Sequence, residues 1–182
     1  MMISKDDAEK YKDLAYKMLI NTGTVLTDLE KENIEIADFG LSQFADIGLS
    51  LLVYVNTERV CAKELMMLPG QNCVEHTHPD IDGDPGKEET FRCRWGKVFL
   101  YVPGEPEKEP SVLPPAGRSE YYTVHHEIEL NPGDQYIMNP NTRHWFQAGP
   151  EGAVISEFSS RSRDELDVFT DPEVQRTTII SG

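Results

Sequence analysis

Lysine and arginine are scarce in this chain: 17 of them stand against 32 aspartates and glutamates, a formal net charge of −15 over 182 residues. Binding a phosphate backbone needs clustered cations that this composition does not supply, so no nucleic-acid partner is expected. A strongly anionic substrate is disfavoured on the same ground, unless a local basic pocket overrides the global sign. Cysteine is sparse too. Cys61, Cys73 and Cys93 form an odd, widely spaced set without a CxxC pair, which points to reduced thiols in a cytoplasmic protein rather than a disulfide framework. No apolar run is long enough to span a bilayer, and MMISKDDAEKYKD is polar from Ser4 onward, so neither a membrane partner nor a secretory signal is expected. The length suits one domain, 1–182, rather than two.

Helical patterning is almost as scarce. Ser4 with Asp7 resembles a capping box, and Ala8, Tyr11, Leu14, Ala15, Met18 and Leu19 then recur at helical spacing until NTG stops them. This predicts one long helix, about 4–21, packed outside whatever follows. Beyond it the period changes to two. Strands are expected in IEIADF (34–39), GLSLLVYVN (48–56), RVCAKELMMLPG (59–70) and TFRCRWGKVFLYV (90–102). Four more are expected in YYTVHHEIEL (121–130), DQYIMNP (134–140), HWFQAG (144–149) and AVISEFSS (153–160), all separated by Gly, Pro and Asn turns. Many short strands predict an all-β sandwich or barrel, about 34–170, with the helix appended. Residues 103–117 carry five prolines and read as an exposed loop. The tail after Asp171 is polar apart from Ile179 and Ile180 and reads as a segment mobile or laid against a partner subunit.

The stretch GQNCVEHTHPDIDGDPGKEETFRCRWG, from Gly70 to Gly96, concentrates the chemistry. Asp80, Asp82 and Asp84 imitate half of a calcium loop, but the required glycine and bidentate glutamate positions hold Pro85 and Phe91, so that reading fails. A transition-metal reading fares better. His76 and His78 are two apart and share a strand face. A strand through Glu89, Phe91, Cys93 and Trp95 puts Glu89 among apolar side chains, with Thr90, Arg92 and Arg94 facing water. A carboxylate aimed into such an interior is costly unless it is paired or binds metal.

With GDQYIMNPNTRHWF, which places His144 eleven residues after Gly133, the pattern resembles the two motifs of the cupin superfamily. Gly70, His76, His78, Glu89 and Gly96 keep the first motif's spacings except for an enlarged gap before Glu89. Gly133 and His144 keep the second's overall length, with Pro140 one place late and Thr142 where the second glycine would stand. The resemblance implies a cupin-type β-barrel, a small jelly roll open at one end. It implies a divalent metal on His76, His78, Glu89 and His144, with one or two positions left for water or substrate.

CAKELMMLPGQ, HPDIDGDPGKEETFRCRWGKVFLYV, YYTVHHEIEL, NPNTRHWFQAG and FTDPE, read together, resemble the cupin-type D-lyxose isomerase family from about Phe39 onward. That resemblance implies interconversion of D-lyxose with D-xylulose and of D-mannose with D-fructose. It also implies Mn²⁺, with Fe, Co, Ni or Zn as alternatives, a small-molecule sugar substrate and a homodimer. Positions matching the family's catalytic residues are Glu157, the expected base, and Lys63, the expected acid or oxyanion stabiliser. Glu157 alternates with Ala153 and Ile155, and Lys63 with Leu65 and Met67, so each is expected to face inward, although parity alone does not fix which face is inside. Lys87 is expected to bind a sugar hydroxyl, and Asp167 to cover the mouth or bind a distal hydroxyl. Trp95 and Trp145 are expected either to line the pocket or to be core. His126 reads as a satisfied core or rim histidine, and Cys73 and Cys93 as packing. Three other functions suit the same barrel: a phosphosugar isomerase, a non-haem iron oxygenase and a non-catalytic sugar-binding module.

Overall fold

The structure is a computed structural model that describes residues 3–181. Its elements run in chain order β1 (Ile3–Ser4), α1 (Lys5–Asn21), α2 (Asp28–Glu32), β2 (Glu35–Ala37), β3 (Leu49–Asn56), β4 (Cys61–Met67) and β5 (Asn72–Thr77). They continue β6 (Glu89–Val102), β7 (His126–Leu130), β8 (Gln135–Met138), β9 (His144–Ser159), β10 (Val168–Phe169) and β11 (Ile180–Ser181). Nine strands, β2 to β10, form one curled antiparallel sheet, and β1 pairs with β11 in parallel. No helix among the described residues is long and apolar enough to cross a membrane.

Strand β9 organises the sheet. One edge pairs along its length with β6, while the other pairs first with β5 and then with β4. The segments HWFQAG and AVISEFSS, expected as two strands, are therefore one continuous strand, and GPEG between them is an irregularity rather than a turn. Side-chain parity reverses there. His144, Phe146 and Ala148 face inward on one side of it, and Ala153, Ile155 and Glu157 on the other. The same reversal occurs on β6, where Phe91 and Cys93 face in before register shifts at Cys93/Trp95 and Gly96/Val98, and Val98, Leu100 and Val102 face in after them. Such bulges add twist and bend a sheet toward closure. Trp95, expected in phase with Glu89, Phe91 and Cys93, is thrown outward and is 37% exposed.

Helix α1 starts on the Ser4 cap, whose hydroxyl oxygen accepts from Asp7 N at 3.1 Å. It buries Ala8, Ala15 and Leu19 against Ile34, Ile36, Leu52, Met66 and Val154 on the outer face of the sheet. Full burial of Leu19 alone contributes roughly 2 kcal/mol. The short α2, absent from the sequence reading, has a complete Thr27–Glu30 capping box.

Other expectations are corrected. Only His126–Leu130 of the segment 121–130 is strand, because Ser119–Tyr121 is a 3-10 turn and the Tyr122 hydroxyl anchors to Asn72 Oδ1 at 2.5 Å. In the turn before His144, where Thr142 replaces the motif's second glycine, the left-handed residue is Asn141 (φ 63), and asparagine tolerates that conformation. The segment after Asp171 does not hang free. Gln175 N donates to Phe39 O at 2.9 Å, Thr178 Oγ1 accepts from Asp38 N at 2.9 Å, and β11 seals against β1.

Gly96 shows why the parity reversal needs glycine. Its φ is +73, and a Cβ there would stand 2.0 Å from the carbonyl oxygen of Gly152 on the adjacent strand. Gly96→Ala is expected to lose about 2 kcal/mol from backbone conformation alone, and more from the clash. Urea unfolding checks this; wild-type stability would show that the crossing of β6 and β9 is not tight.

Candidate active site

His76 lies on β5, His78 just beyond its end, Glu89 opens β6 and His144 opens β9, so the inner face collects all four at one end of the barrel. One ring nitrogen from each of the three histidines lies within 4.8 Å of the others, close enough to hold one metal ion. Each Nδ1 faces an oxygen behind it: Val74 O at 2.9 Å for His76, Asp167 Oδ1 at 2.5 Å for His78 and Thr142 O at 3.0 Å for His144. Carbonyl and carboxylate oxygens only accept, so each Nδ1 carries the proton and each Nε2 is presented to the cavity. Glu89 Oε2 lies 2.8 Å from His78 Nε2, and Glu89 Oε1 lies 3.6 Å from His144 Nε2. His144 Nε2 is buried without a hydrogen-bond partner, and neither His78 Nε2 nor Glu89 Oε2 makes a well-aligned hydrogen bond despite their close approach. Buried polar atoms are rarely left so, and their convergence on one point fits a divalent cation.

The charges agree. Burial, with His144 and His78 beside it, pushes His76 well below its usual range, and burial brings His144 down to about 4. Both offer bare nitrogen at neutral pH. Burial also opposes charge on His78, but Glu89 and Asp167 outweigh it and lift its pKa to about 9. The cage thus attracts positive charge. Glu89 is held well below the usual carboxylate range; burial opposes this, and Lys87 and His78 overcome it.

Beside the cage, two lysines and two carboxylates interlock. Lys63 on β4 and Glu157 on β9 are register partners, both inward and buried. Lys63 Nζ contacts Asp164 Oδ2 at 2.6 Å, Ser162 Oγ at 2.8 Å and Glu157 Oε1 at 3.6 Å. Lys87 Nζ lies 2.8 Å from Glu89 Oε2, 3.0 Å from Glu157 Oε1 and 3.6 Å from Asp164 Oδ1. Burial works against both ammonium groups, but their carboxylate neighbours raise both pKa values, so both stay charged. These groups line a pocket of about 440 Å³, counted with its open mouth, whose other wall is apolar: Phe39, Leu49, Leu51, Leu65, Phe146 and Phe169.

Every residue singled out for metal, catalysis or substrate therefore lines one cavity, except that His144 reaches it through contacts with Glu89 and His76. Asp167, expected to cover the mouth or bind a distal hydroxyl, is seen bonded to His78. Neither tryptophan lines the cavity. Trp95 is exposed, and Trp145 is buried in a separate cluster, stacked on Tyr101 at 3.9 Å with its Nε1 donating to Val124 O. His126 is half-buried, bonded to Glu105 O, and does not line the cavity. The Asp-Gly-Asp loop contributes structure: Asp80 Oδ1 accepts from Gly86 N at 2.8 Å and Asn141 Nδ2 at 2.6 Å, while Asp84 pairs with Arg163. Gly86 packs so tightly that a Cβ would lie 2.1 Å from His78 O, and this fold-back delivers Lys87 and Glu89 beside the imidazoles.

Sequence reasoning missed Asp164 and Arg176. Asp164 lies in RSRDELD, which reads as a solvated turn, and Arg176 lies in the tail. Arg176 lines the cavity, pairs with Glu35 at 2.5 Å and stands 3.5 Å from Asp164. Only the spacing of Asp164 and Asp167, three apart on a single turn, carried a signal.

Fold and site together define a cupin-type barrel enzyme with an imidazole–carboxylate cage. The L-ribose isomerase of Acinetobacter sp. DL28, solved in complex with L-ribose, has the same fold: the TM-score is 0.81 over 99% of this chain and 98% of that one, at 16% identity. A scan against protein-family models finds no match. The D-lyxose/D-mannose isomerase of Thermosediminibacter oceani is 58% identical over 175 residues, 96% of this chain and 97% of that protein. The D-lyxose ketol-isomerase of Cohnella laeviribosi is 57% identical over 169 residues, 93% of each. The chain belongs to the D-lyxose ketol-isomerase family, a family of aldose–ketose isomerases.

Lys63→Met removes one cation from the buried network and strands Asp164 and Glu157. A loss of about 3 kcal/mol is expected in urea unfolding, recovered in part by Lys63→Met/Asp164→Leu. An unchanged midpoint for the single variant would mean the network is not coupled.

Proposed function

We propose that the chain is a metal-dependent isomerase of free sugars, interconverting D-lyxose with D-xylulose and D-mannose with D-fructose. The observation that carries this is the cage itself: three orphaned or bare imidazole nitrogens and Glu89 beside a carboxylate held between two lysines. His76, His78, Glu89 and His144 hold the metal, for which Mn²⁺ is the first choice. When bound, a divalent metal supplies Lewis acidity toward the oxygens on C1 and C2 of an open-chain sugar.

The remaining work falls to the chain. Glu157 takes the proton from C2 and returns it to C1 through a cis-enediol, while the O2 hydroxyl proton passes to O1 by way of Lys63. Lys63 and Lys87, held as ammonium groups, flank the Glu157 carboxylate and donate hydrogen bonds to sugar oxygens as charge develops there. Asp167 keeps the Nδ1 proton on His78, so that Nε2 stays aimed at the cage. The apolar wall excludes water around the reacting carbons.

A phosphosugar is the weaker reading. Lys63, Lys87 and Arg176 are each within 2.8 Å of a carboxylate already, which leaves no uncommitted cation for a phosphate. The cytoplasm fits three cysteines that are all free and buried. For the homodimer, a transverse row across the outer sheet face supplies a surface for a second copy: Val55, Ala62, Phe158, Thr90 and Ile137 are successive register partners on β3, β4, β9, β6 and β8. Phe158 and Ile137 there are 51% and 56% exposed.

Three experiments test this. With Mn²⁺ present, D-lyxose and D-mannose yield ketose, D-mannose 6-phosphate does not, and reaction in D₂O places deuterium in the product. Glu157→Gln lowers kcat by about 10²–10⁴-fold with KM little changed; full activity would remove Glu157 from the base role. Phe158→Asp converts a dimer to a monomer in sedimentation, and a dimer unaffected by it would place the interface elsewhere.

A further inference from the structure

Glu75 is the residue of β5 just before His76, with its side chain on the opposite face and only 1% exposed. Its carboxylate takes part in neither the cage nor the lysine network. It accepts instead from four neutral donors: Thr123 N at 2.5 Å, Thr123 Oγ1 at 2.8 Å, Val124 N at 3.0 Å and Thr170 Oγ1 at 2.6 Å. The nearest cation is Arg143, whose Nε is 3.9 Å away and whose Nη1 donates to Thr123 Oγ1 at 3.2 Å. A fully buried carboxylate is costly, and this one is compensated by holding three segments in place.

Those segments matter for the imidazoles. Arg143 directly precedes His144. Thr170 extends β10, a strand of only two residues whose pairing with β5 sets Phe169 opposite His76 and Val168 opposite Thr77. Glu75 grips Thr170 twice, because its carbonyl oxygen also accepts from Thr170 N at 3.1 Å. Continued by one residue, that register sets Asp167 opposite His78, where its carboxylate meets Nδ1 at 2.5 Å. In so short a ladder, the two bonds between Glu75 and Thr170 add directly to what fixes the register.

We infer that Glu75 is a positioning residue for the metal cage, acting through the Thr170–β10–Asp167 connection on the orientation of His78. The inference rests on the metal reading proposed above.

A double-mutant cycle on the full-length, chelator-stripped protein tests it, with Mn²⁺ affinity read from the EPR signal of free Mn²⁺ and folding read by circular dichroism. Asp167→Asn weakens Mn²⁺ binding by about 10–100-fold, and Glu75→Gln and Thr170→Val weaken it by about tenfold. In the Asp167→Asn background the same two substitutions add less than twofold. Thr170→Val loses a single hydroxyl bond and carries the test if Glu75→Gln does not fold. Wild-type affinity in folded Glu75→Gln and Thr170→Val, or losses that multiply with that of Asp167→Asn, would overturn the inference and leave the metal reading standing. Failure of the wild type to take up Mn²⁺ would overturn both.

Discussion

His144 and Glu157 stand thirteen residues apart on one strand, and on a regular strand an odd spacing sends two side chains to opposite faces. Here both face the cavity. The irregularity at residues 149–152, matched across the sheet by the bulges around Gly96, reverses the parity between them. His144 at one end of β9 and the Glu157 carboxylate further along it can share one interior only because the sheet bends there. The same bend closes the barrel and turns Trp95 out to solvent, so site assembly and fold closure are one event rather than two.

The second constraint is electrostatic. The cavity gathers Glu89, Glu157, Asp164 and Asp167 against Lys63, Lys87 and Arg176, in a chain whose formal charge is −15. Opposite charges stand within hydrogen-bond distance, so each buried ion has a partner and the lysines remain ammonium groups despite burial. What is left without a hydrogen bond in the cavity is Nε2 of His78 and of His144. The charges of the cavity are therefore nearly balanced except where the histidines converge. The apolar wall opposite keeps that point in a low-dielectric setting, where a charge that develops on substrate is strongly felt.

Much of this was legible in the sequence, and the reasons differ by residue. His76, His78, Glu89 and His144 are brought together by their resemblance to the two cupin motifs, with strand alternation placing His76 and His78 on one face. Lys63 and Glu157 follow from positions matching the family, since alternation sets each in phase with apolar neighbours without fixing which face is inside. Alternation failed where bulges intervene: Trp95 follows Glu89, Phe91 and Cys93 in phase, yet it is exposed. Asp164, Arg176 and Glu75 were invisible for another reason. Their importance lies in contacts about 50 to 140 residues apart along the chain, such as Lys63 with Asp164, Glu35 with Arg176 and Glu75 with Thr123, and no local pattern distinguishes them from solvated charges. The tail taken as mobile or partner-bound is held by such contacts too.

The account stands or falls on the cage. The most direct measurement is isomerisation of D-lyxose by protein stripped with EDTA and freed of chelator, before and after Mn²⁺ is restored, with metal content determined in the same samples. Ketose formation is expected to vanish on stripping and to return in proportion to Mn²⁺ bound, saturating at one ion per chain. Undiminished activity in metal-free protein would contradict the reading of His76, His78, Glu89 and His144 as a metal centre.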